Sequence, residues 1–349
     1  MMCQIIPPYL LDRIAQLDDP SFAPAAAAAR KSLLVDRPWR DIRVGESAPP
    51  TDTPTAGSPA TPPRTGITVR RLEEARREIF DAQQLEQLPG EPVDAATSTD
   101  PAVIEAWHGL GHTHDLLREA FSRASIDDNN LHLLATVHFG RDYDNAFWDG
   151  ERMVFGDGDG VVFTRMTASL SVIGHELAHG VIQYTASFEY RGQSGALNES
   201  VADVFGALVQ QHSRNQSVDE ATWLIGEGIF TDQVEGNALR SMKAPGTAYD
   251  DDVLGKDPQP DHMNDFIDTR DDNGGVHLNS GIPNRAFYLV ASAIGGKAWD
   301  RAGHIWYDTL TSGTLSPTAS FADFAAATIE HAGGDARLVT EAWTTVGVL

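Results

Sequence analysis

The spacing of apolar positions divides the chain into a small leading unit, a polar gap and a large body. Ile5, Ile6, Leu10, Leu11, Ile14 and Leu17 recur at helical spacing behind Pro7-Pro8, which fixes the entrance of a short helix. An alanine-rich stretch from Ala25 to Leu34 predicts a second helix that stops near Pro38. Such a unit buries too little apolar surface to stand alone and must lean on something larger. From Glu46 to Gly66 the composition changes to Pro, Thr, Ser, Ala and Gly, with six prolines, as in an extended and protease-exposed tether.

The body begins near Ile67. Arg70 to Asp81 fits helix or strand equally. Asp100 to Ser125 reads as a helix, with Asp100 as its N-cap and Pro101 in its first turn. Val137 to Phe163 alternates and is broken by Asp149-Gly150 and by Gly156 to Gly160, which predicts antiparallel strands joined by tight turns. After Thr167 the period changes to helical, with helices expected over 168–186, 196–213, 280–295 and 319–331. A strand-rich half followed by a helical half predicts an α+β fold. The units are expected at 1–45, 46–66, 67–186 and 187–349.

Composition narrows the chemistry. The 349 residues carry 26 basic and 50 acidic side chains, a formal charge of −24. So acidic a chain is unsuited to nucleic acid, whose phosphates need Lys and Arg. The single cysteine, Cys3, excludes an internal disulfide framework and thiolate-only metal sites. No apolar run reaches the roughly 18 residues that a membrane helix needs. Pro7, Pro8, Asp12 and Arg13 interrupt what would be the apolar stretch of a secretory signal. The chain is therefore expected in the cytoplasm as synthesised, with any export by a non-classical route.

The sharpest local signal is His175-Glu176-Leu177-Ala178-His179. Helical positions i and i+4 share a face, so both imidazoles reach one metal ion. Glu176 lies about 100° around the axis, suited to serve as a base beside the metal. Downstream, Glu199 and Asp203 are again spaced i and i+4. Glu199 completes a His₂Glu ligand set, and Asp203 can accept an imidazole N–H and fix its tautomer. A third cluster, Asp272 to Gly281, holds a glycine turn followed by His277. An imidazole held there by Asp272 suits stabilisation of an oxyanion.

With these motifs in order, and with Asn145-Ala146-Phe147-Trp148, Tyr190 and Ala238 to Met242 between them, residues 67–349 resemble the thermolysin-like zinc metallopeptidases. The leading unit, with Ile6-Pro7-Pro8-Tyr9-Leu10, resembles the short propeptide of the protealysin-like branch. The resemblance implies that His175, His179 and Glu199 bind zinc and that Glu176 is the general base. It implies that Tyr190 and His277 stabilise the oxyanion, with Asp272 orienting His277. Asn145 and Ala146 would hold substrate as an added strand, and Arg240 the carbonyl on the leaving side. Phe163, Val172, Ile225 and Leu239 would line an apolar pocket for the residue after the cut.

The reading is thus a zinc endopeptidase, made as an autoinhibited precursor, that cuts before bulky hydrophobic residues in peptide or protein substrates. The propeptide would be its intramolecular inhibitor, with Pro7, Pro8 and Tyr9 filling the cleft. Cleavage at Gly66-Ile67 would release it, and Cys3 could offer a thiolate to the zinc. Rival readings are a zinc aminopeptidase and a binding protein with a permanently filled cleft. The double calcium site common in the family is not expected, since Ser171, Gln210 and Leu224 stand at its carboxylate positions beside Glu227. Asp157, Asp159 or the segment Asp250 to Asp272 remain candidates for calcium.

Overall fold

The structure is a computed structural model that describes residues 3–41 and 74–349. The tether expected at 46–66, the Gly66-Ile67 bond and the side chain of Cys3 lie outside what it describes.

A short strand, β1 (Cys3–Gln4), leads into α1 (Pro8–Ala15), with Pro7 and Pro8 at the helix entrance, and then into α2 (Ala23–Asp41). Helix α2 runs past Pro38, because a proline late in a helix removes one donor without forcing the chain out at once. The undecided stretch before Asp81 becomes β2 (Arg77–Asp81), followed by β3 (Glu91–Val93). Helix α3 (Pro101–Glu119) starts as its sequence predicts, the Asp100 carboxylate accepting from the Ala102 N–H. Strands β4 (Leu133–Val137), β5 (Ala146–Trp148) and β6 (Met153–Phe155) complete the strand-rich half.

These strands form one six-stranded sheet in the order β1-β5-β6-β4-β2-β3. The expectation of an antiparallel meander is only partly met. β5 and β6 are an antiparallel hairpin closed by Asp149, whose carboxylate accepts from the Glu151 and Arg152 N–H groups. β2 and β4, however, are parallel, as are β4 and β6. Parallel pairing needs a crossover, which for β2 and β4 includes α3 and for β4 and β6 is the stretch that carries β5, and alternation within a strand cannot reveal it. The glycine run 156–160 is no hairpin turn. It is a loop in which Asp159 Oδ1 accepts from the N–H groups of Val161, Val162 and Phe163.

The helical half contains α4 (Leu170–Gln183) and α5 (Gly192–Ser213), then two small two-stranded ladders. These are β7 (Leu224–Ile225) with β8 (Arg240–Ser241), and β9 (Asp250–Asp251) with β10 (Gly255–Lys256). Helices α6 (Asp272–Asn279), α7 (Gly281–Ile294), α8 (Ala302–Thr311), α9 (Phe321–His331) and α10 (Ala336–Thr345) follow. α8 and α10 were not expected from the sequence. Their apolar faces close the core around Trp306 and Trp343, which stack with ring centroids 6.1 Å apart. The described residues thus form an α+β fold with α4 packed between the sheet and the other helices.

One pair of contacts ties the two halves of the sheet region together. His138, at the end of β4, sits between Asp157 (2.8 Å from Nδ1) and Asp100 (3.0 Å from Nε2). The hydrogen bond to Asp157 raises the imidazole most; burial opposes it, and the Asp157 and Asp100 charges add, lifting the pKa to about 9. A folded value above the ordinary 6.5 means stability that is complete below pH 6.5 and lost as pH rises through 9. With screening allowed for, the loss should be about 1–2 kcal/mol. Thermal midpoints should fall between pH 6.5 and 9, and His138→Gln should flatten that limb; an equal fall in both proteins would exclude His138 as its source.

Candidate active site

The site is built where α4 meets α5. Glycine permits the approach. A Cβ on Gly174 would stand 3.1 Å from the Gly206 Cα, and one on Gly206 would stand 2.5 Å from the Ser171 carbonyl oxygen. With both Cβ atoms missing, the helices close until His175 and His179 face Glu199 and Asp203. Gly206→Ala should therefore cost about 1–3 kcal/mol in stability and weaken zinc affinity, since backbone must move to fit one methyl. Unchanged thermal midpoint and zinc affinity in that variant would show that the close approach is unnecessary.

His175, His179 and Glu199 converge, all buried, with ligand atoms within 4.8 Å of one another. The two Nε2 atoms are 3.0 Å apart, and the Glu199 oxygens lie 3.6 and 3.7 Å from them. Both tautomers are set from behind. Asp203 Oδ1 accepts from His175 Nδ1 at 2.8 Å, and Asn198 Oδ1 from His179 Nδ1 at 2.9 Å. Each Nε2 thus presents a lone pair, and two lone pairs at 3.0 Å repel unless a cation lies between them. Glu199 Oε2 is buried with no hydrogen-bond partner among the described residues. The donor set, two neutral imidazoles and a carboxylate, suits zinc.

Charge around the set is ordered. Arg240 is fully buried and donates to both Asp203 oxygens at 2.8 Å, and Asn284 Nδ2 donates to Asp203 as well. Burial alone would push Glu199 up; positive charge around it, His277 first and Arg240 behind, outweighs this and lowers its pKa. Glu176 Oε2 accepts from the Trp148 N–H at 2.9 Å, which aims its carboxylate along β5.

His277 reaches the same centre from α6. Four successive residues, Asp272 to Gly275, have φ between 51° and 89°, where two glycines relieve the strain. This curl lays Asp272 on His277, with Oδ1 2.6 Å from Nδ1 and Oδ2 accepting from the His277 N–H at 2.8 Å. Burial disfavours the charged ring, but Asp272 and Glu199 outweigh it and raise the pKa. The Tyr190 hydroxyl donates to Glu199 and lies 3.2 Å from His277 Nε2.

The sheet edge beside these residues is already occupied. β1 pairs antiparallel with β5, Cys3 opposite Trp148 and Gln4 opposite Phe147. The Ile5 N–H donates to Ala146 O at 3.1 Å and the Ile6 N–H to Asn145 Oδ1 at 2.9 Å. The Ile5 carbonyl accepts from Arg240 at 3.2 Å, and the Gln4 carbonyl lies 2.9 Å from His277 Nε2. Gln4, Ile5 and Ile6 therefore hydrogen-bond the site residues, and Pro8 and Tyr9 line a cavity shared with Asp272 and His277. Phe163, Val172, Ile225 and Leu239 are all buried, as are Ile5 and Ile6.

Sequence reading missed Asn198, Asn284 and the Trp148 N–H. Asn198 had a signal: it stands directly before Glu199 in the chain. Trp148 had one as well, at the end of the run Asn145-Ala146-Phe147-Trp148, whereas Asn284 had none, 81 residues from the Asp203 it braces.

A family model described as the thermolysin metallopeptidase catalytic domain matches residues 71–183, and one described as its alpha-helical domain matches 186–348. An extracellular metalloprotease of Pectobacterium carotovorum subsp. carotovorum is 47% identical over 358 aligned positions, covering 99% of this chain and 96% of that protein. A thermolysin of Alicyclobacillus acidocaldarius subsp. acidocaldarius is 38% identical over 265 positions, 72% of this chain and 46% of that protein. The solved precursor of protealysin, a metalloproteinase from Serratia proteamaculans, superposes with a TM-score of 0.87 at 46% identity, over 99% of this chain and 100% of that one. The cytoplasmic expectation is overturned here: a relative matched along nearly its whole length is named as extracellular, which points to secretion. An interrupted apolar stretch argues only against one type of export signal, not against export.

Proposed function

The chain belongs to the thermolysin metallopeptidase family, and from that premise we propose how its own residues carry the reaction. It is a zinc-dependent neutral endopeptidase made as a precursor with a propeptide, and its relatives' names leave the aminopeptidase and binding-protein readings without support. The observation that carries the assignment is the buried convergence of His175, His179 and Glu199.

Those three residues would hold zinc, which when bound acidifies water and polarises a carbonyl. Glu176, aimed by the Trp148 N–H, takes the proton of the attacking water and passes it to the departing amine. Asn145 and Ala146 O hold substrate as an antiparallel strand on β5, the mode in which Ile5 and Ile6 lie there. Arg240, braced by Asp203, donates to the carbonyl after the cut. His277, oriented by Asp272, donates to the carbonyl oxygen where charge develops, with Tyr190 as the second donor. Phe163, Val172, Ile225 and Leu239 form an apolar pocket that favours a bulky aliphatic or aromatic residue there. The propeptide is residues 1–45, the tether 46–66, and the two catalytic parts 67–186 and 187–349. Casein hydrolysis by processed protein, abolished by 1,10-phenanthroline and absent before processing, tests the assignment; activity that resists the chelator would refute it.

The family's double calcium site is absent from this reading. The Ser171 hydroxyl accepts from the Gly226 N–H, and Gln210 and Arg214 approach Glu227 at 3.5 and 3.8 Å, so Glu227 is met by an amide and a guanidinium and not by further carboxylates. Thermal midpoints in EGTA and in millimolar calcium should nearly coincide; a large upward shift with calcium would reveal a site elsewhere, with Asp157, Asp159 and Asp250 to Asp272 the first to test.

A further inference from the structure

The N-terminal segment does more than cover the cleft. Its contacts fix one peptide bond between two different donors. The carbonyl before the Gln4–Ile5 bond lies 2.9 Å from His277 Nε2, and the carbonyl after it accepts from Arg240 at 3.2 Å. The Ile5 N–H donates to Ala146 O, while Asn145 brackets Ile6 by accepting its N–H at 2.9 Å and donating to its carbonyl at 3.4 Å. The Ile5 side chain is fully buried. The segment runs antiparallel to β5, the direction in which Asn145 and Arg240 can each meet their carbonyl.

We infer that Gln4–Ile5 is itself a cleavage site, cut in cis by the centre it occupies, an inference that rests on the metallopeptidase reading above. Water is the co-reactant. Its oxygen bonds to the Gln4 carbonyl carbon, the C–N bond breaks, and the Ile5 nitrogen leaves with both protons of the water, carried to it in turn by Glu176. The products are a carboxylate on Gln4 and an ammonium on Ile5, with no oxidation or reduction.

The cut leaves the enzyme latent. What anchors the remaining segment lies beyond Ile5. Leu10, Leu11 and Ile14 are buried. Arg13 donates to the Val253 and Asp252 carbonyls at 2.9 and 2.8 Å. On α2, Ser32 Oγ accepts from the Asp144 N–H, and Asp36 accepts from Tyr143 and from Asn145 itself. None of these contacts involves a residue before Ile5. The segment from Ile5 onward thus stays as a bound product, and activation awaits a second cut in the tether.

The test starts from full-length protein stripped of metal. On adding one equivalent of zinc, N-terminal sequencing should read Ile5-Ile6-Pro7-Pro8 and the intact mass should fall by the peptide ending at Gln4. The rate should not depend on protein concentration, casein hydrolysis should stay low, and Glu176→Gln should keep its original N-terminus. In that inactive variant, the Ile5 and Ile6 amides should be protected from hydrogen exchange, and a further Ile5→Asp substitution should abolish this protection while sparing α2. An intact N-terminus in a preparation whose tether-processed form hydrolyses casein overturns the inference alone. So does a rate that rises with concentration, or unprotected Ile5 and Ile6 amides. If the processed form is also inactive toward casein, the metallopeptidase reading itself fails.

Discussion

Turnover by a Glu176→Gln variant of the processed enzyme should drop by about 10²–10⁴-fold while each chain still binds one zinc. The two outcomes separate because the ligands and the base are different side chains. His175, His179 and Glu199 converge on one point, whereas Glu176 is turned toward β5 and held by the Trp148 N–H. An amide can still accept from that N–H, so the geometry survives the change, but it cannot take a proton from water. Metal analysis of the purified variant beside its casein rate is the measurement. Loss of zinc together with activity would make Glu176 a ligand and dismantle the assignment of roles.

His277→Ala should lower kcat by about 10²–10³-fold and leave KM close to that of the parent enzyme. The reason lies in where its donor points. Asp272 fixes the ring, and Nε2 lies at hydrogen-bond distance from a carbonyl oxygen held at the site. Such a donor gains strength as negative charge grows on that oxygen, so its removal is felt in the transition state more than in binding. Steady-state kinetics on a short peptide would check it. An unchanged kcat would move His277 out of the machinery; a rise in KM alone would make it a binding residue.

Both variants test residues that were visible as motifs, and the reason is local. The i, i+4 rule places His175 over His179 and Glu199 over Asp203 from helical spacing alone, without any tertiary information. The same holds for the Asp100 cap, the hairpin closed at Asp149 and the α+β division, each set within a dozen residues. Asp272 and His277 also belong to this class, since the curl that joins them lies inside one short run containing two glycines.

What the sequence by itself determined, then, is which residues share a helix face or a turn. Only the tertiary structure decided which faces meet. Arg240 lies 37 residues from Asp203 and Asn284 lies 81 away, yet both brace it. The parallel pairing of β2 with β4 depends on a helix crossing over between them, and the tight seam of α4 on α5 depends on Gly174 finding Gly206. The tertiary structure also put Gln4 and Ile5 onto β5 at the catalytic centre, beside the Asn145 that holds Ile6 from 139 residues away. Local spacing is set by backbone geometry that every helix and turn repeats. Pairing between distant segments is set by which surfaces bury most apolar area and satisfy most polar groups, and that selection exists only once the whole chain has folded.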